Sequence, residues 1–144
     1  MRFMQTLGFD LAETARLMRR DFDRRAVALG ATRAQWRVLA RLWRQDGLRQ
    51  VDLADALDVE PITLCRMVDR LEEAGLVERR RDEEDRRAWR IHLTAKAEPV
   101  VRELQAIGAA FHADALDGIS PAEQDAVANV LARIRANLKE RKAA

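Results

Sequence analysis

Arg79, Arg80, Arg81, Arg86 and Arg87 fall within nine residues, and Arg66 and Arg70 stand four residues apart just upstream. A guanidinium is permanently charged and donates several N–H bonds in a planar fork, so such a set binds anions and does no acid–base chemistry. Phosphate oxygens match the fork, and so does the O6/N7 pair of guanine. Other chemistry has little to build on. The chain holds one cysteine, Cys65, which can form no internal disulfide, and two histidines, His92 and His112, too far apart to read as a metal pair. No phosphate-binding glycine loop, HExxH pair or GxSxG elbow occurs, so neither an enzyme nor a cofactor is expected.

Those arginines need elements to hold them. Leu11, Ala15, Met18, Phe22 and Leu29 recur near the helical period, which predicts an amphipathic helix over about 7–29 ended by Gly30. Thr32 and Gln35 form a capping box for a mostly apolar helix beginning at Arg33 and running to about Gln45. Its polar stripe is Arg37, Arg41 and Arg44, which are read as solvent-facing or ion-paired. After Gly47, Leu48–Gln50 leads into a short helix with Val51, Leu53, Ala54 and Leu57. A break at Asp58–Glu60 precedes Pro61, a residue suited to the first position of the next helix. In that helix Leu64, Met67, Val68 and Leu71 share one face, and Ile62, Arg66, Asp69, Arg70 and Glu73 the other.

Beyond Gly75 the period changes to two. Leu76–Arg81 and Ala88–Leu93 read as strands around a charged tip, Asp82–Arg87, with Trp89, Ile91 and Leu93 on one face and Arg90 and His92 on the other. Thr94 is read as the cap of a long helix with Val100, Leu104, Ile107 and Phe111 in line. Ser120–Glu123 is a second capping box, opening a helix with Val127, Leu131, Ile134 and Leu138 in line. Helix, turn, helix and hairpin in that order make a winged helix-turn-helix. Its second helix can enter a major groove about 12 Å wide. The wing arginines can neutralise phosphates or reach a minor groove.

Composition agrees. The 144 residues are 48% hydrophobic and 35% charged, with three Pro, six Gly and no Tyr, the balance of a helix-rich protein. No apolar run is long enough to span a bilayer, and the first residues lack the pattern of a secretory signal, so a cytoplasmic protein is expected. The net charge of +2 is a weak global signal, and the placement of charge matters more.

The stretch QVDLADALDVEPITLCRMVDRLEEAGLVERRRDEEDRRAWRIHLT strongly resembles the MarR/SlyA family of winged helix-turn-helix transcription regulators, and LTAKAEPVV and DGISPAEQ look like its SlyA branch. The likeness covers nearly the whole chain. It implies a mainly α fold with a small β-hairpin wing and an intertwined helical dimerisation region. Within one 1–144 domain, 1–30 and 95–144 would be dimerisation helices and 33–93 the DNA-binding region. A homodimer on double-stranded DNA follows, with a palindromic operator whose half-sites lie roughly 34 Å apart. Single apolar stripes on three helices agree, because a monomer would leave them exposed.

Carried over by position, the recognition helix starts at Pro61, Ile62 and Thr63. Arg66 is the candidate for base readout, while Gln50 and Arg70 are assigned to the DNA backbone. In the wing, Arg81, Asp85, Arg86 and Arg87 are assigned to DNA, with the Asp85 carboxylate bracing Arg87. Glu83 and Glu84 depart from the family pattern and should weaken the wing's hold. The resemblance also implies a small aromatic carboxylate effector, for which Arg16, Trp36 and Met67 are the pocket candidates. Otherwise Trp36, Trp43 and Trp89 read as core residues and Cys65 as a small buried one. The implied function is a sequence-specific repressor or antirepressor. The alternative is a low-specificity architectural DNA-binding protein.

Overall fold

The computed structural model describes residues 2–143; Met1 and Ala144, the two ends of the expected domain, lie outside the described residues. The elements run α1 (Arg2–Val27), α2 (Arg33–Arg44), β1 (Leu48–Arg49), α3 (Gln50–Leu57), α4 (Pro61–Glu73), β2 (Val77–Arg81), β3 (Trp89–Leu93), α5 (Ala97–Ala115) and α6 (Pro121–Ala143). The chain divides into two compact units, residues 1–111 and 112–144.

In the first unit the capping box forms as the sequence predicts. The Gln35 N–H donates to Thr32 Oγ1 at 3.2 Å and the Thr32 N–H donates to Gln35 Oε1 at 3.0 Å. Helix α2 buries Val38, Leu39 and Leu42, α3 buries Leu53, Ala54 and Leu57, and α4 buries Leu64, Val68 and Leu71. These side chains form one cluster with Val77, Ile91, Ala97, Val101 and Leu104. Each fully buried leucine contributes about 1.5–3 kcal/mol by leaving water. Phe22, with its ring centroid 4.5 Å from that of Trp36 and 5.9 Å from that of Phe111, packs α1 and α5 onto the same body.

Strands β2 and β3 pair antiparallel with Val77 opposite Leu93, Arg79 opposite Ile91 and Arg81 opposite Trp89. The sheet has a third member where the sequence pattern predicts only a lead-in: β1 pairs with β3, giving the order β1-β3-β2. Two residues are too few to show a period, which is why this strand carries no signal of its own. Gly47, immediately before it, adopts φ +76°, and a Cβ there would meet His92 Cε1 at 2.8 Å. Only glycine lets this turn lie so close to β3.

Two further expectations change. Thr94 does not cap α5 with its side chain, because its hydroxyl donates to the Gly75 carbonyl at 2.5 Å and so closes the end of α4. Trp43 is not a core residue: it is 45% exposed, whereas Trp36 and Trp89 pack against the core.

In the second unit the Ser120 N–H donates to Glu123 Oε1 and the Glu123 N–H to Ser120 Oγ, the predicted capping box. The Ser120 N–H bond holds the Glu123 carboxyl below the usual carboxylate range. On α6, Leu131 and Ile134 are partly buried, but Val127, Val130 and Leu138 are 58%, 51% and 63% exposed. No helix among the described residues is long and apolar enough to cross a membrane.

Candidate nucleic-acid interface

Helices α3 and α4 meet at a tight turn. Asp58 ends α3 in the left-handed region (φ 53°, ψ 48°), and its N–H reaches back to the Ala54 and Asp55 carbonyls. Pro61 then opens α4 at the expected position. With Leu64, Val68 and Leu71 turned inward, α4 presents Ile62, Thr63, Arg66 and Arg70 to solvent. The guanidinium groups of Arg66, Arg70, Arg86 and Arg87 make no hydrogen bond or ion pair with other described residues, so their donors are open to a ligand.

The wing tip is built by short-range polar contacts. Asp85 Oδ1 accepts the backbone N–H of Arg87 at 3.0 Å, and the Asp85 carbonyl accepts from Ala88 at 3.0 Å. The Asp85 carboxylate thus holds Arg87 by its main chain. An Asx-type turn satisfies the carboxylate locally and leaves the arginine side chain outside it. Arg81 lies 4.4 Å from the centroid of the Trp89 ring and donates to the Arg86 carbonyl at 2.5 Å, so it stiffens the tip from below. Gln50, Val51, Pro61, Asp85, Arg87, Ala88 and Trp89 line one open hollow of about 280 Å³. Four expected DNA-binding residues, Gln50, Pro61, Asp85 and Arg87, thus converge where the first turns of α3 and α4 meet the wing.

Charged residues outside the expected DNA contacts, Asp82, Arg49, Arg90 and Arg79, hold this arrangement. Asp82 is only 3% exposed; its Oδ1 accepts the Glu84 N–H at 3.0 Å, and its Oδ2 lies 2.7 Å from Arg49 Nε and 3.4 Å from Arg90 Nη2. The two guanidinium contacts at Oδ2 are ion pairs without hydrogen-bond alignment. The Glu84 N–H bond, aided by Arg49 and Arg90, keeps the Asp82 carboxyl below the usual range despite burial. Arg90 also donates to the Gly47 carbonyl at 2.8 Å, fastening β3 to the turn before β1. Arg79, the first of the arginine triplet, points inward beside Ile91 and reaches α4. The signal for this was period two: the alternation that puts Trp89, Ile91 and Leu93 on the core face of β3 puts Val77, Arg79 and Arg81 on the same face of β2.

The effector candidates stand differently. Trp36 and Met67 pack against the same core cluster, and Trp36 Nε1 donates to Asp23 Oδ1 at 2.9 Å. Arg16 pairs with Glu13 at 2.6 Å, its side chain 48% exposed. A nearby hollow is lined by Leu17, Arg20, Asp23 and Arg24 and contains none of the three. Cys65 is half-buried, and His92 Nδ1 lies 3.1 Å from Asp46 Oδ2. Among the described residues no group of His, Cys, Asp or Glu is arranged to hold a metal.

A helix-turn-helix whose second helix exposes guanidiniums without a partner among the described residues, followed by a basic three-stranded wing, defines a winged helix-turn-helix protein. The MarR family pattern matches residues 31–89. Transcriptional regulator PA3341 is 44% identical over 93% of this chain and 98% of its own, with a TM-score of 0.85. A MarR-family transcriptional regulator from Silicibacter pomeroyi is 30% identical over 91% of this chain and 88% of its own, with a TM-score of 0.81. BpsR of Bordetella bronchiseptica, whose DNA binding is regulated by 6-hydroxynicotinic acid, shares the fold at 24% identity over 90% of this chain and 98% of its own, with a TM-score of 0.77. The chain belongs to the MarR family of DNA-binding transcriptional regulators.

Proposed function

We propose that this regulator acts in the cytoplasm as a homodimer on a palindromic operator, as a repressor or antirepressor that reads sequence through α4. The observation that carries the reading is the set of guanidiniums without a partner among the described residues, Arg66 and Arg70 on α4 and Arg86 and Arg87 on the wing, with Arg87 lining a hollow shared with Gln50 and Pro61. Arg66, one turn beyond Ile62, is assigned to a guanine edge, and Arg70 and Gln50 to phosphates. Arg81 supports Arg86, and Arg87 enters the adjacent minor groove. Residues 33–93 form the reading head. Segments 1–30 and 95–144 are assigned to dimerisation, since Phe9, Leu17, Val127 and Leu138 leave 75%, 52%, 58% and 63% of their surface exposed.

Selection of duplexes from a random pool tests this reading. A palindrome is the expected product. A pool that stays random under competing genomic DNA would leave the architectural, low-specificity function instead.

A small aromatic carboxylate is the proposed effector, supported by the partly exposed Trp36 indole and by Arg16, whose Glu13 partner is exposed and displaceable. BpsR, with its aromatic acid, lends support by its shared fold. Operator affinity should fall on adding such acids. Unchanged affinity across a panel of them would count against an effector of this class.

A further inference from the structure

We infer that Arg79 is a positioning residue and not a DNA contact: it locks wing strand β2 to recognition helix α4 and cancels acidic charge that would otherwise face DNA. This rests on the reading of α4 and the wing as the DNA-binding surface. The three consecutive arginines invite one reading, a basic strip for phosphates. Pleating separates them. Arg80 stands opposite Arg90 on the outer face and pairs with Glu78, whereas Arg79 stands opposite the fully buried Ile91 on the inner face.

Every nitrogen of the Arg79 guanidinium is engaged. Nη2 lies 2.6 Å from Asp69 Oδ1 and donates to the Cys65 carbonyl at 3.1 Å; Nη1 donates to Glu72 Oε1 and Nε to Gln50 Oε1, both at 3.1 Å. The Arg79 backbone N–H takes the other Glu72 oxygen, also at 3.1 Å. Residues 65, 69 and 72 recur at four and three, so they form one stripe of α4 turned toward β2. Only 14% of the Arg79 side chain is exposed, against 51% for Asp69 and 43% for Glu72.

The arrangement has two consequences. A planar fork that holds three residues of α4 and the first residue of α3 fixes the angle between reading helix and wing. It also places a cation against two half-exposed carboxylates on the reading helix. Without that cation, both would repel the phosphates that Arg66 and Arg70 approach.

The test measures binding of a short fluorescent duplex of mixed sequence across a salt series, with thermal melting and size-exclusion profiles recorded for every variant. Arg79→Gln is expected to weaken binding about tenfold or more. Arg79→Lys, which keeps a charge but loses the fork, is expected to weaken it less, with the salt slope unchanged. The variant Arg79→Gln/Asp69→Asn/Glu72→Gln removes the cation together with both carboxylates. It is expected to regain the part of the affinity lost to the bare carboxylates, up to about the level of Arg79→Lys, with the wild-type slope. If Arg79 instead touches a phosphate, the triple variant stays weak and its log–log slope is shallower by about 0.9. That result overturns the inference. Arg87→Gln serves as the reference contact, and its slope should be the shallower one. If the unmodified protein does not bind the duplex at all, the DNA-binding reading fails instead.

Discussion

Ile62 is a large β-branched side chain left 65% exposed in the first turn of α4, one helical turn before Arg66. On an ordinary surface such a residue gains little, but in a major groove it faces the one apolar group a base edge offers, the thymine C5-methyl. The selected half-site should therefore carry a thymine beside the guanine proposed for Arg66. Replacing that thymine by deoxyuridine removes one methyl, worth about 0.8 kcal/mol or roughly fourfold in affinity. In Ile62→Ala the same replacement should change nothing, and an equal loss in both proteins would refute the contact. A second prediction concerns Asp82, whose folded pKa is depressed. Its contribution is therefore present above the ordinary carboxylate pKa of about 4 and lost as pH falls through the lower folded value. The melting temperature of Asp82→Asn should lie below that of the wild type at neutral pH, and the gap should close under acid. A gap independent of pH would mean that the carboxylate charge is irrelevant. At this scale the sequence exposed the solvent face of α4 well, because the helical period separates Leu64, Val68 and Leu71 from Ile62 and Arg66. It hid Arg79 and Asp82: consecutive like residues look like one surface, and an aspartate in an acidic tip looks solvated until its neighbours in space are known.

The elements were legible where a cap or a period marked them. Both capping boxes, the proline at the start of α4 and the core face of β3 follow from local chemistry that tertiary contacts did not override. The two-residue β1 and the role of Thr94 were not legible, since each depends on a partner distant in sequence, Ile91 and Arg90 for one and Gly75 for the other. The turn of the helix-turn-helix offers an element-scale test. Asp58 holds a left-handed backbone, which aspartate tolerates and β-branched residues resist. Asp58→Val should destabilise the fold by about 1–2 kcal/mol in denaturant titrations. Asp58→Gly should be neutral or stabilising. If both variants were equally destabilised, the loss would lie in the aspartate side chain and not in the turn.

At the scale of the whole molecule, the exposed apolar residues of α1 and α6, and the arginines of the proposed reading head that lack a partner among the described residues, make demands that one chain does not meet alone. Leu138→Glu, placed on a side chain already 63% exposed, should leave a single chain's own core intact yet shift the protein toward monomer in size exclusion. Its DNA affinity should fall with dimerisation, because two linked heads gain from effective concentration what one head lacks. The geometry of that linkage can be read on the DNA itself. Two heads related by a two-fold axis engage the same face of the duplex only if their half-sites are separated by whole helical turns, about 10–10.5 base pairs each. Inserting about five base pairs at the centre of the selected palindrome turns one half-site to the opposite face. Binding should then drop to the level of an isolated half-site, and inserting a full turn should restore part of it only if the dimerisation helices flex. A protein that binds all three duplexes equally would be reading half-sites independently, and the proposed coupling of dimer to palindrome would be wrong.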